Sequence, residues 1–566
     1  MVKKQIRTLN VDLDNHGIEL AEKPVEEASL EEKLGGFGKA IQDIGKNLAR
    51  NPDLRLAHDP RNLLCINTGF LTGTNVMTAK RTYVSALSPL KTSLKRTNGI
   101  YYSTASGMFG PALKGAGFDA VNISGRNGRN PLYLFIDRNH ASFEDASDLI
   151  GKTTEEKIYQ LAEKYPNSGI MAIGPAGESL VNYAGIAFST YNQIKKGSKH
   201  MRFAGRGGMG AVMGGKGLVA VVVSGDESKI DVGDVKELNK EIATGQKTLK
   251  YRKEGTFQGN IVSMQELNAV IVDNFSRGSD PRIEKLYRKS LEEAGYEIKN
   301  KACHGCGVAC WKEISKDGQV LGKLDFEPGM LLGPNLGIYD INQIMHLISR
   351  ADSLGLDSIS LGVSLGYELE KQKRFGDFEL ASSLTEEIGI GHHPLMWGVA
   401  KYSNRADNAF QVKGVELAAY PPHVNPGYSF AVGGPHTSID TYKCFIYPDA
   451  ANDAPEWRDN TLRGTKILLY DMNGLCKFSK VNFKDNADLY ERVYGERVSE
   501  DDFKKIGQKV HLIARGIDSS LGFGHEDDVL PGNAHLDYQI NGVKHFNTRE
   551  FFEDYKGEVY RAYGEA

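Results

Sequence analysis

Three cysteines fall within eight residues, in the run CHGCGVAC from Cys303 to Cys310. The spacing is C-x2-C-x3-C. Three thiols gathered in one loop constrain the fold strongly, because such a loop wraps an inorganic centre. Four sulfurs complete either a zinc site or an iron–sulfur cubane. Zinc sites usually pair two C-x2-C hooks or add histidines at short spacing. This chain has no second hook, so iron–sulfur stands ahead of zinc. The other cysteines are Cys65, Cys444 and Cys476. Cys476, in the polar turn DMNGLC, is the best candidate for a fourth ligand. Cys65 lies in an apolar, strand-like run and reads as core. Cys444, in TYKCFIYP, also reads as structural.

The bulk numbers exclude several classes. A chain of 566 residues is too long for one core, so two to four domains are expected. The net charge of −3 lacks the basic footprint of a nucleic-acid binder. No apolar run reaches the length of a membrane span. The start, MVKKQIRTLN, has no apolar signal region. Six cysteines in so long a chain do not make a disulfide scaffold, and a cytoplasmic, reducing setting is expected. Glycine is in excess, 63 of 566 or about 11 % against an average near 7 %. Glycine serves where backbone approaches a ligand closely, so a large ligand wrapped by main chain is expected.

The first part of the chain reads as strands. QIRTLNVDL, DNHG and IEL form a hairpin signal, and short β-like runs such as NLLCINTG, AVNISG, PLYLFID, SGIMAIG and GLVAVVVSG follow. After about Ser224 helical periodicity with charged faces takes over. The expected fold is α+β: a β-rich domain over residues 1–224, then two mostly helical domains over 225–405 and 406–566. No internal repeat of fixed period is visible.

Two glycine-rich features carry chemistry. RFAGRGGMGAVMGGKG, from Arg202 to Gly217, combines two arginines with successive backbone N–H groups, a combination that binds phosphate-like anions. It lacks the endings of a P-loop and the intervals of a dinucleotide fingerprint. DSLGLD from Asp352 and DMNGLC from Asp471 share the pattern D-x-x-G-L-[DC]. Two such hexapeptides point to a pseudo-symmetric site that grips two similar ligands.

With LGGFGKA, NTGFLTGTNVMTAKR, SPLKT, SGMFGPALKGAGFDAVNISG and IGPAGESLVNYAGIA, these motifs span Leu34 to Cys476. In that order and spacing the chain resembles the tungsten-containing aldehyde:ferredoxin oxidoreductase family. The resemblance implies two sheets that cradle a tungsten held by two pterins, a magnesium ion between the pterin phosphates, and a [4Fe–4S] cluster nearby. Carried over by position, it makes Cys303, Cys306, Cys310 and Cys476 the cluster ligands. Asp352, Asp357 and Asp471 would hold the pterin rings, with Gly355, Gly474 and Leu475 shaping the two turns. Arg81, Arg202 and Arg206 would meet phosphates. Gly107 and Gly205 would admit backbone close to the cofactor, and the carbonyls of Ala105 and Phe203 would face magnesium. Glu327, in KLDFEPGMLLGPNLGI, would act as base beside tungsten. A lone glutamate is ordinarily a solvated acid, but its apolar neighbours favour burial and a raised pKa. His436, in FAVGGPHTSID, would polarise the substrate carbonyl.

The resemblance implies oxidation of a small-molecule aldehyde, with ferredoxin or another iron–sulfur subunit taking the electrons. A homo-oligomer is compatible with it. Two departures stand out. The family's arginine four residues before the pocket histidine is here Val432. The E-x-x-H of some members reads HLIS from His346, so an intersubunit metal site is expected to be absent or rebuilt with His392 or His393. These departures keep open a low-potential reductase of the aryl-CoA type acting on a thioester. A cluster-bearing electron-transfer subunit is a further alternative.

Overall fold

The computed structural model describes residues 2–198, 200–225, 230–432, 465–536, 539–540, 543–544 and 548–565. Twelve strands fall before residue 224 and form two six-stranded sheets. The first holds β1 (Gln5–Asp12), β2 (Gly17–Pro24), β3 (Leu64–Thr68), β4 (Arg81–Thr92), β5 (Asn98–Ser106) and β6 (Ala120–Ser124). The second holds β7 (Leu132–Ile136), β8 (Ala141–Asp145), β9 (Gly169–Ile173), β10 (Ile186–Phe188), β11 (Arg202–Ala204) and β12 (Leu218–Val223). The expected first hairpin is present, β1 pairing with β2 from Gln5↔Pro24 to Asp12↔Gly17. The inner strands are apolar runs such as LVAVVV in β12, buried at every residue, as strands covered on both faces must be.

The two sheets are copies of one plan. Their orders are β2-β1-β6-β3-β4-β5 and β8-β7-β12-β9-β10-β11. In each, the first strand pairs in parallel with the last, β1 with β6 and β7 with β12. Every other neighbouring pair is antiparallel. A short helix precedes the last strand in both, Phe109–Gly115 and Met209–Gly215. The sequence reading saw no repeat, and the structure corrects it. Gly107, Gly110, Gly115, Gly117, Ala120, Val121, Ser124 and Gly125 each recur one hundred positions later. The survivors are mostly glycines at constrained backbone: Gly117 and Gly217 both have positive φ, at 94° and 73°. The apolar positions between them tolerate exchange and have drifted apart.

The sheets face each other across those two helices, and the edge strands β5 and β11 run against one another. From residue 236 onward helices dominate, as expected. The exception is a three-stranded antiparallel sheet of β13 (Tyr296–Lys301), β14 (Trp311–Lys316) and β15 (Gln319–Leu324). The cysteine run is the loop between β13 and β14, closed by the Lys301↔Trp311 pair. No helix among the described residues is long and apolar enough to cross a membrane.

Each sheet ends its third strand in a glycine that receives a hexapeptide. A Cβ on Gly69, after β3, would lie 2.1 Å from the Gly474 nitrogen. One on Gly174, after β9, would lie 2.3 Å from the Leu354 carbonyl oxygen and 2.9 Å from the Gly355 nitrogen. Gly69→Ala and Gly174→Ala should therefore each destabilise the fold, by about 1–3 kcal/mol or more. Gly128→Ala, where a Cβ meets nothing within 4 Å, should not. Chemical-denaturation midpoints of the three variants check this.

Candidate functional site

The two hexapeptides close helices in the same way. Asp352 lies in the last turn of Ile341–Leu354, and Gly355 caps it in the left-handed region at φ 78°. Asp357 then caps the helix Ser358–Gln372, its carboxylate accepting from the Ile359 and Ser360 N–H groups. Asp471 ends the 3-10 helix Thr465–Asp471, and Gly474 follows at φ 90°. Both turns are pinned to matching places on the two sheets. The Gly355 carbonyl accepts from Gly185 N–H, just before β10, at 2.8 Å. The Gly474 carbonyl accepts from Arg81 N–H, at the start of β4, at 3.1 Å. Leu475 is buried behind the second turn at 1 % exposure.

Two hexapeptide acids have unusual proton affinities. Burial pushes the Asp352 carboxyl up to about 7. Burial also pushes Asp471 up, to about 6, against the lowering hydrogen bond from the Tyr102 hydroxyl at 2.9 Å. Asp352 lines a cavity of about 340 Å³ with His200, Trp311 and Lys323.

A second cavity, of about 480 Å³, joins the rest of the site. Its wall includes Cys303, Cys306, Cys310, Cys476, Arg81, Arg202 and Glu327. All four cysteines chosen from the sequence are thus brought together, although Cys476 is distant in the chain. Cys65 is buried in β3, away from them. Cys444 lies outside the described residues, and so does His436. Among the described residues no three His, Cys, Asp or Glu side chains close on one metal-ion position. Four sulfurs around one cavity are the donor set a cubane would use.

Two arginines sit differently from the expectation. Arg81 Nη2 donates to Cys476 Sγ at 3.2 Å, and Arg202 Nη2 donates to Cys303 Sγ at 3.1 Å. These bonds tie both guanidiniums first to the cysteines. Burial pushes the Cys303 thiol up, but the Arg202 guanidinium outweighs it and holds the thiol below its ordinary value. Cys306 and Cys310 have no such bond, and burial pushes both up to about 12.

Arg206 stands at the end of the first hexapeptide, against Asp357. Its Nε lies 3.1 Å from Asp357 Oδ2, and its Nη1 is buried with no hydrogen-bond partner. A Cβ on Gly205 would meet nothing nearer than Asp357 Oδ1, at 3.6 Å. An orphaned guanidinium N–H beside open backbone fits an anionic group. At Gly107 the glycine has another cause: at φ 153° its missing Cβ makes room for the Ser189 carbonyl, which a Cβ would meet at 2.6 Å. Ala105 and Phe203 lie in β5 and β11. These are the touching edge strands, and each has one row of backbone groups outside its own sheet's ladder. Ala105 and Phe203 thus come from equivalent strands of the two copies.

Glu327 lies in the first turn of the helix Phe326–Leu331, and its Oε2 accepts from Ala419 N–H at 2.6 Å. Burial pushes its carboxyl up to about 7, against the Ala419 N–H, Arg206 and Lys477, which favour the anion. Glu416, three residues before Ala419, is buried beside Arg206 and was not singled out from the sequence. Of the expected departures, Val432 is buried and its carbonyl accepts from Lys91 Nζ at 3.3 Å. His346 stands by Ser382 and Phe378, and His393 caps the turn Pro394–Trp397.

A double sheet whose two copies each receive a D-x-x-G-L turn, with a four-cysteine cavity between, defines a cofactor-binding redox protein. The aldehyde ferredoxin oxidoreductase N-terminal domain model matches residues 8–225, and the model of domains 2 and 3 matches residues 234–564. The chain belongs to the aldehyde ferredoxin oxidoreductase family and is an enzyme, a tungsten oxidoreductase of that type. It is 28 % identical to the tungsten-containing aldehyde ferredoxin oxidoreductase of Pyrococcus furiosus, over 93 % of this chain and 90 % of that protein. It is 27 % identical to the aliphatic sulfonate oxidoreductase WOR-like subunit of the same organism, over 93 % and 88 %. The active site complex BamBC of benzoyl coenzyme A reductase, in complex with 1,5-dienoyl-CoA, shares the fold. Its TM-score is 0.78 at 20 % identity, over 99 % of this chain and 94 % of that one.

The raised Asp352 carboxyl has a thermodynamic consequence for the cofactor-free protein. A folded pKa of about 7 lies above the unfolded value. Its contribution to stability is therefore present below about pH 4 and is lost as pH rises toward 7. Asp352→Asn removes that loss. The variant should gain in unfolding midpoint over wild type at pH 8 relative to pH 5, measured by thermal denaturation across pH.

Proposed function

We propose that this enzyme oxidises an aldehyde to a carboxylic acid and passes the electrons through a [4Fe–4S] cluster to ferredoxin. The supporting observation is one cavity that contains both the four cysteines and a carboxyl with a pKa near neutrality, Glu327. The names of the curated relatives, several of them aldehyde ferredoxin oxidoreductases, favour the aldehyde. A tungsten held by two pterins supplies the two-electron chemistry when bound.

The chain's own groups do the rest. Asp352 and Asp471 would accept from the ring N–H groups of the pterins, and Asp357 orients Arg206. The unpaired Arg206 Nη1 would meet a pterin phosphate, and the Ala105 and Phe203 carbonyls would hold magnesium. Oxidation of an aldehyde consumes water and releases two protons and two electrons. Glu327, ionised near neutral pH, takes a proton as water adds to the carbonyl carbon. His436 steadies the developing oxyanion. Cys303, Cys306, Cys310 and Cys476 bind the cluster, and the Arg81 and Arg202 N–H···S bonds tune its potential. Anaerobically purified protein assayed with aldehydes and a viologen acceptor, against aryl-CoA thioesters with a strong reductant, tests the reading. Turnover of the thioesters alone would replace it with the reductase.

Two variants test the roles. Cys476→Ser should lose iron and the cluster's EPR signal, whereas Cys65→Ser should keep both. Glu327→Gln keeps shape but takes no proton, so kcat should fall by about 10²–10⁴-fold with tungsten and iron unchanged. Wild-type turnover should rise with pH through about 7, where burial places the Glu327 carboxyl. The variant's rate–pH profile should lack that limb.

A further inference from the structure

The cysteine loop reaches the surface at its own tip. In CHGCGVAC the cysteines are half-buried, but His304 and Gly305 between the first two are exposed. Gly305 turns there at φ 70°, and a Cβ on it would meet nothing within 4 Å. Three elements flank the loop. The helix Tyr191–Lys196 touches its tip: the Tyr191 ring stacks on His304 with centroids 3.8 Å apart, and Asn192 Nδ2 donates to the Ala302 carbonyl at 3.0 Å. The helix Gln246–Glu254 and the turn Lys477–Ser479 meet through the Tyr251 and Phe478 rings, at 4.5 Å. Both rings, with Lys250 and Lys480, share the cavity wall with the four cysteines.

Charge on these elements is one-sided. Lys195 and Lys196 end the first helix, Lys247, Lys250 and Lys253 mark the second, and Lys477 and Lys480 flank the third. Arg252 is turned inward, onto the Thr244 and Gly245 carbonyls. Glu254 is the one acid among the three elements. The whole chain has 69 basic and 72 acidic residues, so the bias belongs to this face and not to composition. The adjoining helix Lys236–Thr244 has two lysines and two glutamates and adds no net charge. The acids on the cavity wall are Asp325, paired with Lys323, and Glu327. A phosphate inside the cavity does not account for the lysines, because Lys195, Lys196, Lys247 and Lys253 are exposed and off its wall.

We propose that this face is the docking surface for a small, acidic electron-carrier protein, which brings its own redox centre over the His304–Gly305 tip. Electron transfer falls steeply with distance, so a carrier has to come where the cysteine loop meets water. A polyanion without a redox centre gains nothing from that location. Half-buried aromatic rings inside a rim of lysines have the anatomy of an interface, with an apolar middle and a charged edge. Encounters of this kind are small and transient, and long-range attraction supplies their rate. The electrons of one turnover leave singly: each encounter reduces one carrier by one electron, and two encounters restore the oxidised enzyme.

The inference rests on the proposed exit of electrons to a protein carrier, and its first test is binding rather than turnover. The probe is an acidic ferredoxin with two [4Fe–4S] clusters, its association with the loaded enzyme followed by surface plasmon resonance across ionic strength. The on-rate should fall steeply with salt. At low salt it should fall at least about tenfold in Lys195→Glu/Lys196→Glu and in Lys247→Glu/Lys253→Glu. Arg129→Glu/Arg138→Glu makes the same charge change on the loops flanking β7 and should leave association at the wild-type rate. The KM for ferredoxin should rise in both lysine variants, with turnover on a viologen acceptor unchanged. Association that ignores salt, or ignores both lysine pairs, overturns the proposal. An equal fall in the viologen rate also overturns it, since the lysines would then act on the redox centre itself. Tighter binding of a DNA duplex or of phosphatidylglycerol vesicles, lost in the same variants, overturns it in favour of a polyanion or membrane site. If aldehydes are not turned over while the association results hold, only the substrate assignment fails.

Discussion

The architecture depends on two places where backbone meets backbone without side chains between. Gly69 against Gly474, and Gly174 against Leu354 and Gly355, bring the C-terminal two-thirds of the chain onto the two sheets. The contacts are closer than any Cβ allows, so each hexapeptide is held at a fixed height above its sheet. Each turn's carbonyl then pairs with the N–H at the head of β4 or just before β10. The aspartates that open the turns inherit that placement. The duplicated sheets explain why there are two such turns, and why Ala105 and Phe203 arrive together from equivalent edge strands.

Parts of this were legible in the sequence for physical reasons. A cysteine run survives as a pattern because its spacing is set by ligand geometry. Cys476 was legible because a polar turn has no other use for a thiol. The D-x-x-G-L pair was legible because the glycine needs a left-handed backbone and the aspartate caps or accepts. The duplication was hidden, since a buried strand needs only apolar bulk, and AVNIS has become AVVVS without changing its place. The sheet that frames the cysteine loop was also missed: YEIKNK in β13 carries charges on its exposed face and reads as loop.

Glu416 had no signature at all. A glutamate in KGVELAAY is ordinarily a solvated acid. Only the packing of its hairpin under Gly398 and beside Arg206 removes it from water. The arginines show the same limit from the other side. The resemblance put Arg81, Arg202 and Arg206 together as phosphate binders, and the fold gives their side chains different near neighbours. Two meet sulfur and one meets a carboxylate, a difference set by which anion the fold brings within reach.

That division also orders the electrostatics of the site. Arg81 and Arg202 stand at the cysteine end of the cavity, where positive charge favours thiolates and the added electron of a reduced cluster. The acids Glu327, Glu416, Asp352 and Asp471 stand where burial raises their proton affinity toward neutrality. In the proposed reaction an electron moves toward Arg81 and Arg202 and a proton toward Glu327, and the one cavity these three residues line already holds the groups that would stabilise both products.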